Sequence, residues 1–383
     1  MIEFLVDGFG FIASFLGYFV PFLLVLAPIV FIHEMGHFLV GRWCGVKVET
    51  FSLGFGPRLF GFMDRKGTQW VLSAIPLGGF VKFKGDSDAA SSPDHEAMAA
   101  MTAADRAESF PHKSIAQRSA IVAAGPIANF LLAFVIFTSI FAIYGQTEIK
   151  PVVHRVVADS AAEQAGFQPG DSIDAINNQP IESFSQITRH VSVNEGEPLH
   201  FSITRNGQNL ELVGTPRIVI EKTILGTNRH AIMGFSSSPL PEHQFVKQFT
   251  VLAASKEAVG EIAMVIERTG AYIGGLVKGQ EKADQLSGPL RIAYISGKVA
   301  ESGIKPLLIL AAILSVSIGL LNLLPVPMLD GGHLVFYAYE GLLRRPMNEL
   351  VQSWSLRIGF GMLVGLMLFS TWNDLVHLTG FAL

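Results

Sequence analysis

Charge is scarce in this chain: 16% of its 383 residues are Asp, Glu, Lys or Arg, where soluble domains carry about a quarter. Cysteine is almost absent. With Cys44 alone, an intrachain disulfide and a cysteine-rich metal site are both excluded, so a bound metal must take His, Asp or Glu ligands. There is no positive excess either, and a net charge of −4 gives no reason to expect nucleic acid as a partner. The N-terminal stretch lacks the basic region of a secretory signal, its charges being Glu3 and Asp7. What is abundant is apolar sequence. Half of the residues are hydrophobic and the mean hydropathy is +0.42, which points to an α-helical membrane protein in contact with a lipid bilayer.

Four stretches are candidate spans: Gly8 to Val40, Ser119 to Thr147, Pro306 to Leu329, and Ile358 to Leu383, the last interrupted by Asp374. The first three exceed the roughly 20 residues needed to cross a bilayer core. Loop charges orient them. Arg42 to Arg118 carries ten Lys and Arg, the loop before the fourth span carries Arg344 and Arg345, and the two chain ends carry none. Positive-inside counting therefore puts 42–118 and 344–345 in the cytoplasm, with both ends outside. Residues 148–305 also lie outside; their 15 Lys and Arg are no objection, because long translocated domains escape the rule.

The expected organisation is a first span with its polar end (1–45), a cytoplasmic-side β region and mobile loop (46–118), a second span (119–147), an outside domain (148–222), an amphipathic helical segment (223–305), and the third and fourth spans (306–383). Within 46–84, "VKVETFS", "TQWVLSAI" and "GGFVKF" alternate or are β-branched and aromatic, with glycines as punctuation. Such a sheet has an edge able to pair with an extended peptide. Residues 86–109 are small and polar and read as a mobile loop. In the outside domain, Ser160 to Ile181, "SAAEQAGFQPGDSIDAINNQPI", resembles a bacterial PDZ domain, an α+β fold that captures an extended peptide or chain end by strand addition. Phe184 to Val193 reads as its second helix.

The chemistry is concentrated in "VFIHEMGHFLVG", Val30 to Gly41, at the end of the first span. His33 and His37 are four residues apart, so on a helix both imidazoles face the same way and two nitrogens can bind one zinc. Glu34 lies beside them, where it can take a proton from water. Ionisable groups in an apolar span are costly, which makes them functional candidates. A catalytic zinc needs a third protein ligand and an open position. Spans one and three run in the same direction, and Asp330 directly follows span three, at the depth of the histidines. Asp374 fails that test, falling toward the outer end of span four, and Glu340 sits ten residues beyond Asp330. His333 remains the rival to Asp330.

The approach to Asp330, "NLLPVPMLDGGH", holds Pro325 and Pro327, which break helical hydrogen bonding. Irregular backbone at membrane depth requires surrounding protein or a water-filled cavity, so a polar cavity is expected there. Gly331-Gly332 reads as a tight chain reversal. Asn322 either holds substrate backbone or caps the broken turn. In span two, "AGPIANF" places Gly125, Pro126 and Asn129 near the cytoplasmic end, small and polar where packing or substrate contact occurs.

Taken together, HEMGH in the first span, "PLGGFVKF" in the β region, "AGPIANF" in the second span, an outside PDZ domain and "NLLPVPMLDGG" in the third resemble the site-2 protease family of intramembrane zinc metalloproteases. The likeness covers nearly the whole chain. It implies that His33, His37 and Asp330 bind Zn2+, that Glu34 is the catalytic base, and that the β region pairs with unwound substrate; Gly78 and Gly79 of that region, with Asn322 and Asn129, are the candidate substrate contacts. It also implies residence in the bacterial inner membrane with the PDZ domain in the periplasm. Implied substrates are single-span membrane proteins already trimmed outside, such as anti-sigma factors, or remnant signal peptides, with a peptide or substrate ectodomain at the PDZ domain. The chain departs from the best-studied bacterial type in having room for one PDZ domain rather than two. Two rival readings are a membrane-anchored HExxH protease with a cytoplasmic catalytic domain, and a PDZ-bearing scaffold or metal transporter, which needs no Glu34.

Overall fold

A computed structural model describes residues 2–87, 98–194, 196–223, 226–238, 240–279, 288–345 and 347–379. The chain divides into two compact units, one of residues 1–138, 255–269 and 283–383, the other of 139–254 and 270–282. Among the described residues, four helices are long and apolar enough to cross a membrane, at Gly17–Trp43, Ile115–Tyr144, Ile304–Asn322 and Leu350–Val376. This is a multi-pass membrane protein.

The first unit is built on helix α1 (Ile2–Trp43), which continues through Pro21 and Pro28. Strands β1 (Val48–Met63) and β2 (Gln69–Phe83) follow. Both bend, so β1 pairs with β2 twice: Phe51 lies opposite Val81 on one side and Trp70 on the other, while Phe62 also faces Trp70. The bend falls at Gly54, at φ +91°, which a side chain would strain. The layer is fastened to α1 by aromatic packing. Phe51 is buried against Phe31, Phe38 and Trp70 at centroid distances of 5.6, 5.6 and 4.5 Å, each contact contributing about 0.5–1.5 kcal/mol beyond area burial.

The turn of the hairpin closes on Asp64. Its carboxylate accepts from Lys66 N at 2.8 Å, Thr68 N at 2.9 Å, and Arg42 at 2.6 Å. Burial alone raises the carboxyl's pKa, but these bonds outweigh it and hold the group well below the usual carboxylate range. Part of the expected loop is helical: α2 (Ala103–Glu108) starts from a reciprocal Thr102–Asp105 capping box. Residues 88–97 of that loop lie outside the described residues.

Helix α3 (Ile115–Tyr144) packs tightly on α1, since a Cβ at Gly36 would run into the Ala124 carbonyl.

The second unit holds the PDZ-like domain. Its elements are β3 (Gln146–Ile149), β4 (Arg155–Val156), α4 (Ala161–Gln164), β5 (Ser172–Ile176), β6 (Gln179–Pro180), α5 (Phe184–Val193), β7 (Leu199–Arg205) and β8 (Gln208–Gly214), with the sheet order β6-β5-β7-β8. Inward residues at alternating positions (Ile173, Phe201, Ile203) meet Ile187 and Val191 of α5 in one core. The domain extends further than the sequence reading placed it. Of the segment 223–305, expected from sequence to be helical, residues 223, 226–232 and 235–236 lie in strands β9 (Arg217–Thr223), β10 (Gly226–Ile232) and β11 (Phe235–Ser236). Met233 enters the domain core and Phe235 pairs with Val156. The physical reason is the run of β-branched residues from Ile218 onward, which favours strand. The amphipathic pattern downstream is real but begins later. After β12 (Gln244–Lys247), helix α6 (Val251–Val277) starts at Thr250, whose hydroxyl accepts from Ala253 N at 3.3 Å.

In the first unit, to which residues 255–269 of α6 also belong, α7 (Pro289–Glu301) lies on α1, with Tyr294 against Tyr18 at 5.3 Å. It is followed by α8 (Ile304–Asn322), α9 (Asp330–Leu343) and α10 (Glu349–Thr379). Asp374 on α10 is buried and accepts from Gly288 N at 2.9 Å and Arg291 N at 3.0 Å, so it caps α7. Gly331 and Gly332 do not make the expected chain reversal. Both are helical, within α9, and the reversal is made by Met328 at φ +83°. The glycines are needed because the carbonyls of Leu323, Leu324 and Val326 lie where their Cβ atoms would be.

Candidate metal centre

Three elements bring the site together. Helix α1 supplies His33 and His37, one turn apart and both buried. The irregular turn after α8 supplies Asp330, first residue of α9. The helix it begins is fastened to α3 by Arg118, which bonds Glu340 at 2.8 Å and lies over the Tyr337 ring at 4.9 Å. Glu340, weighed as a ligand from sequence, is engaged in that pair.

His33 Nε2 and His37 Nε2 are 3.3 Å apart. Asp330 Oδ2 is 3.2 Å from His33 Nε2, and Oδ1 is 3.6 Å from His37 Nε2. Among the described residues this is the group of three that could hold a metal, its ligand atoms all within 4.8 Å of one another. The donors fit zinc. Tetrahedral bonds of about 2.0–2.1 Å require ligand atoms roughly 3.3 Å apart. Asp330 Oδ2 is also buried, facing His33 Nε2; when that nitrogen presents its lone pair, the carboxylate oxygen needs a cation to meet it.

The group opens onto a cavity of about 450 Å³. Glu34, Asn322, Gly78 and Gly79 line it, as does His333, which is not part of the three-ligand group. The edge of β2 passes close to Glu34: a Cβ at Gly79 would lie 2.9 Å from Glu34 Cγ and 2.7 Å from the Ser52 carbonyl. Gly78 sits at φ +122°, beneath the Phe55 ring. Asn322 Nδ2 is 3.4 Å from His33 Nε2, at the cavity wall. Asn129, grouped with the substrate contacts from sequence, does not line the cavity. It is fully buried, with Nδ2 3.3 Å from His33 Nδ1.

Sequence reasoning missed two supports. His37 Nδ1 lies 2.9 Å from the Ile121 carbonyl of α3. Gly125, between Ile121 and Asn129, leaves room for both imidazoles: a Cβ there would overlap His37 Nε2 and approach His33 Cε1 to 2.9 Å. The glycine in "AGPIANF" was the available signal, without anything to say what it faced.

A buried pair of histidines with a carboxylate, a glutamate beside them and a cavity in front is the arrangement of a metal-dependent hydrolase. Comparison with known proteins agrees. The description Peptidase family M50 matches residues 21–366. A candidate zinc metalloprotease of Agrobacterium fabrum is 47% identical over 95% of this chain and 97% of its own. Metalloprotease MmpA of Caulobacter vibrioides is 38% identical over 94% of this chain and 96% of its own. Among solved structures, the PDZ domain of an SdrC-like protein from Listeria monocytogenes is 18% identical, covering 22% of this chain and 84% of that one, with a TM-score of 0.19. The chain belongs to Peptidase family M50, the site-2 protease family. It is a membrane-embedded, zinc-dependent metalloprotease of a family that acts on membrane proteins.

Proposed function

We propose that His33, His37 and Asp330 hold the zinc, that Glu34 is the catalytic base, and that the protein cleaves single-span membrane proteins within or near their spans after a first cut on the outer side. The observation that carries this is the meeting of three ligand atoms within 4.8 Å beside Glu34, at the wall of a cavity bordered by the β2 edge. Bound zinc supplies a Lewis acid that acidifies water and polarises the scissile carbonyl. Glu34 takes a proton from the attacking water while its oxygen bonds to the carbonyl carbon. The same carboxyl then delivers that proton to the leaving nitrogen as the C–N bond breaks. Asn322, with a donor amide at the cavity wall, holds the substrate carbonyl. A helical substrate must unwind to expose that carbonyl, and the freed backbone groups pair with the edge of β2 around Gly78 and Gly79.

Loop charge supports a bacterial inner-membrane location with the site toward the cytoplasm and the PDZ-like domain in the periplasm. There the domain meets a peptide or substrate ectodomain, so that trimming regulates access. Anti-sigma factors and remnant signal peptides have the required single span. The test is cleavage of a pre-trimmed, single-span reporter by purified protein. Glu34→Gln should retain stoichiometric zinc and lose at least about 10²-fold in rate, and the untrimmed reporter should be cut more slowly. Undiminished turnover by Glu34→Gln refutes the assignment.

A further inference from the structure

Helix α3 presents Ile121, Gly125 and Asn129 at i, i+4 and i+8, one row on one face. That row lies against His37 and His33. At one end the chemistry is settled by the partner: a carbonyl only accepts, so His37 Nδ1 must carry the proton it donates to Ile121 O at 2.9 Å. His37 Nε2 is then the ring's lone pair.

At the other end the partner is an amide. Asn129 Nδ2 lies 3.3 Å from His33 Nδ1, and Asn129 Oδ1 is buried with no partner at all. With Nδ2 as donor, His33 Nδ1 must accept, and the ring proton moves to Nε2, which faces Asp330 Oδ2 at 3.2 Å and His37 Nε2 at 3.3 Å and then has no lone pair for a metal. The amide's two ends have the same shape and differ only in donor and acceptor character. Turned by half a rotation, Oδ1 accepts from His33 Nδ1–H. The orphaned oxygen is satisfied, and His33 Nε2 becomes a lone pair beside that of His37.

We propose that Asn129 is the positioning residue for His33: its Oδ1 accepts the Nδ1 proton and fixes the tautomer whose Nε2 faces the metal. The inference rests on the reading of His33 as a zinc ligand. Asn129 is itself held. Ser315 Oγ on α8 donates to its backbone carbonyl at 2.8 Å. A Cβ at Gly319 would approach its Cβ to 3.2 Å, so the bare residue lets α8 close on it. Ile121, Gly125 and Asn129 thus form an acceptor, a gap and an acceptor, matching the four-residue spacing of the two histidines. A partner that orients a metal-bound histidine typically changes metal affinity about 10–100-fold.

The test uses the full-length protein in detergent, with zinc alone as probe, titrated against a chromophoric chelator. Asn129→Asp keeps an acceptor and removes the NH2; Asn129→Leu removes both at similar volume; His33→Ala is the control. Thermal unfolding of the metal-free proteins reports folding. The expected result is a loss of about 10–100-fold for Asn129→Leu and parental affinity for Asn129→Asp. Equal losses in the Asp and Leu variants overturn the proposal, since the amide would then act as donor. Parental affinity in Asn129→Leu, with zinc lost in His33→Ala, overturns it while leaving the ligand assignment intact. Parental affinity in His33→Ala overturns both. If the Leu variant does not fold, Asn129→Asp decides alone: parental affinity supports the acceptor role, and a tenfold loss overturns it.

Discussion

Gly125→Ala adds one methyl group at the point where α3 meets both histidines. That carbon would stand 2.6 Å from His37 Cε1 and 2.9 Å from His33 Cε1, whereas carbon atoms in contact sit about 3.5–4.0 Å apart. Relief requires a displacement of roughly 1 Å in the rings or in α3 itself. Zinc sites tolerate only about 0.2 Å in their ligand distances. Zinc affinity should fall by about 100-fold or more, equivalent to about 2.7 kcal/mol, and reporter cleavage should fall with it. Chelator competition measures the first and gel-resolved cleavage the second. Gly274→Ala, where nothing lies within 4 Å of the new carbon, is the control. Helix propensity favours alanine over glycine by about 1 kcal/mol, so a loss in Gly125→Ala cannot come from a weakened helix. Parental zinc affinity in Gly125→Ala would refute the account of how the imidazoles are seated.

Other outcomes follow from the same packing. Asp374→Ala leaves Gly288 N and Arg291 N without their acceptor; it should destabilise the protein by about 1–3 kcal/mol, read as a lower Tm in detergent, with zinc affinity unchanged. Gly79→Ala crowds Glu34; cleavage should fall on the order of 10²-fold while zinc stays bound. Asp64 contributes pH-dependent stability. Its depressed pKa means that the contribution is full above the unfolded carboxyl's value of about 3.9 and is lost as pH falls through the folded value. Trp70 Nε1 donates to Asp64 at 3.3 Å. In a background where Trp70 is the remaining tryptophan, its fluorescence should stay constant through the usual carboxylate range and change only well below it, and Asp64→Asn should abolish that transition.

Much of this organisation was legible from residue patterns because the membrane imposes a length scale. Four apolar runs of span length stand out in a chain with so little charge, and the helices occupy them. The facing of His33 and His37 follows from four-residue spacing alone. Helix Phe184–Val193 was readable from its amphipathic period. What could not be read depended on contacts between distant segments. The strands at 217–236 show no local pattern that ties Met233 to a core assembled mainly from residues before 204. Asn129 looked like a substrate contact because a polar residue in a span invites that reading. Its position against His33 depends on how closely α3 and α1 approach, which Gly36 and Gly125 permit. The double glycine after Asp330 suggested a turn, whereas its function is to let the chain before it lie over the start of α9.

The measurement closest to the central claim is X-ray absorption at the zinc edge on the purified, zinc-loaded protein and two variants. The account predicts two imidazole nitrogens at about 2.0–2.1 Å and a carboxylate oxygen at about 2.0–2.2 Å. The carboxylate contribution should vanish in Asp330→Ala and persist unchanged in His333→Ala. A shell of three imidazoles, reduced to two in His333→Ala and unaffected in Asp330→Ala, would contradict it.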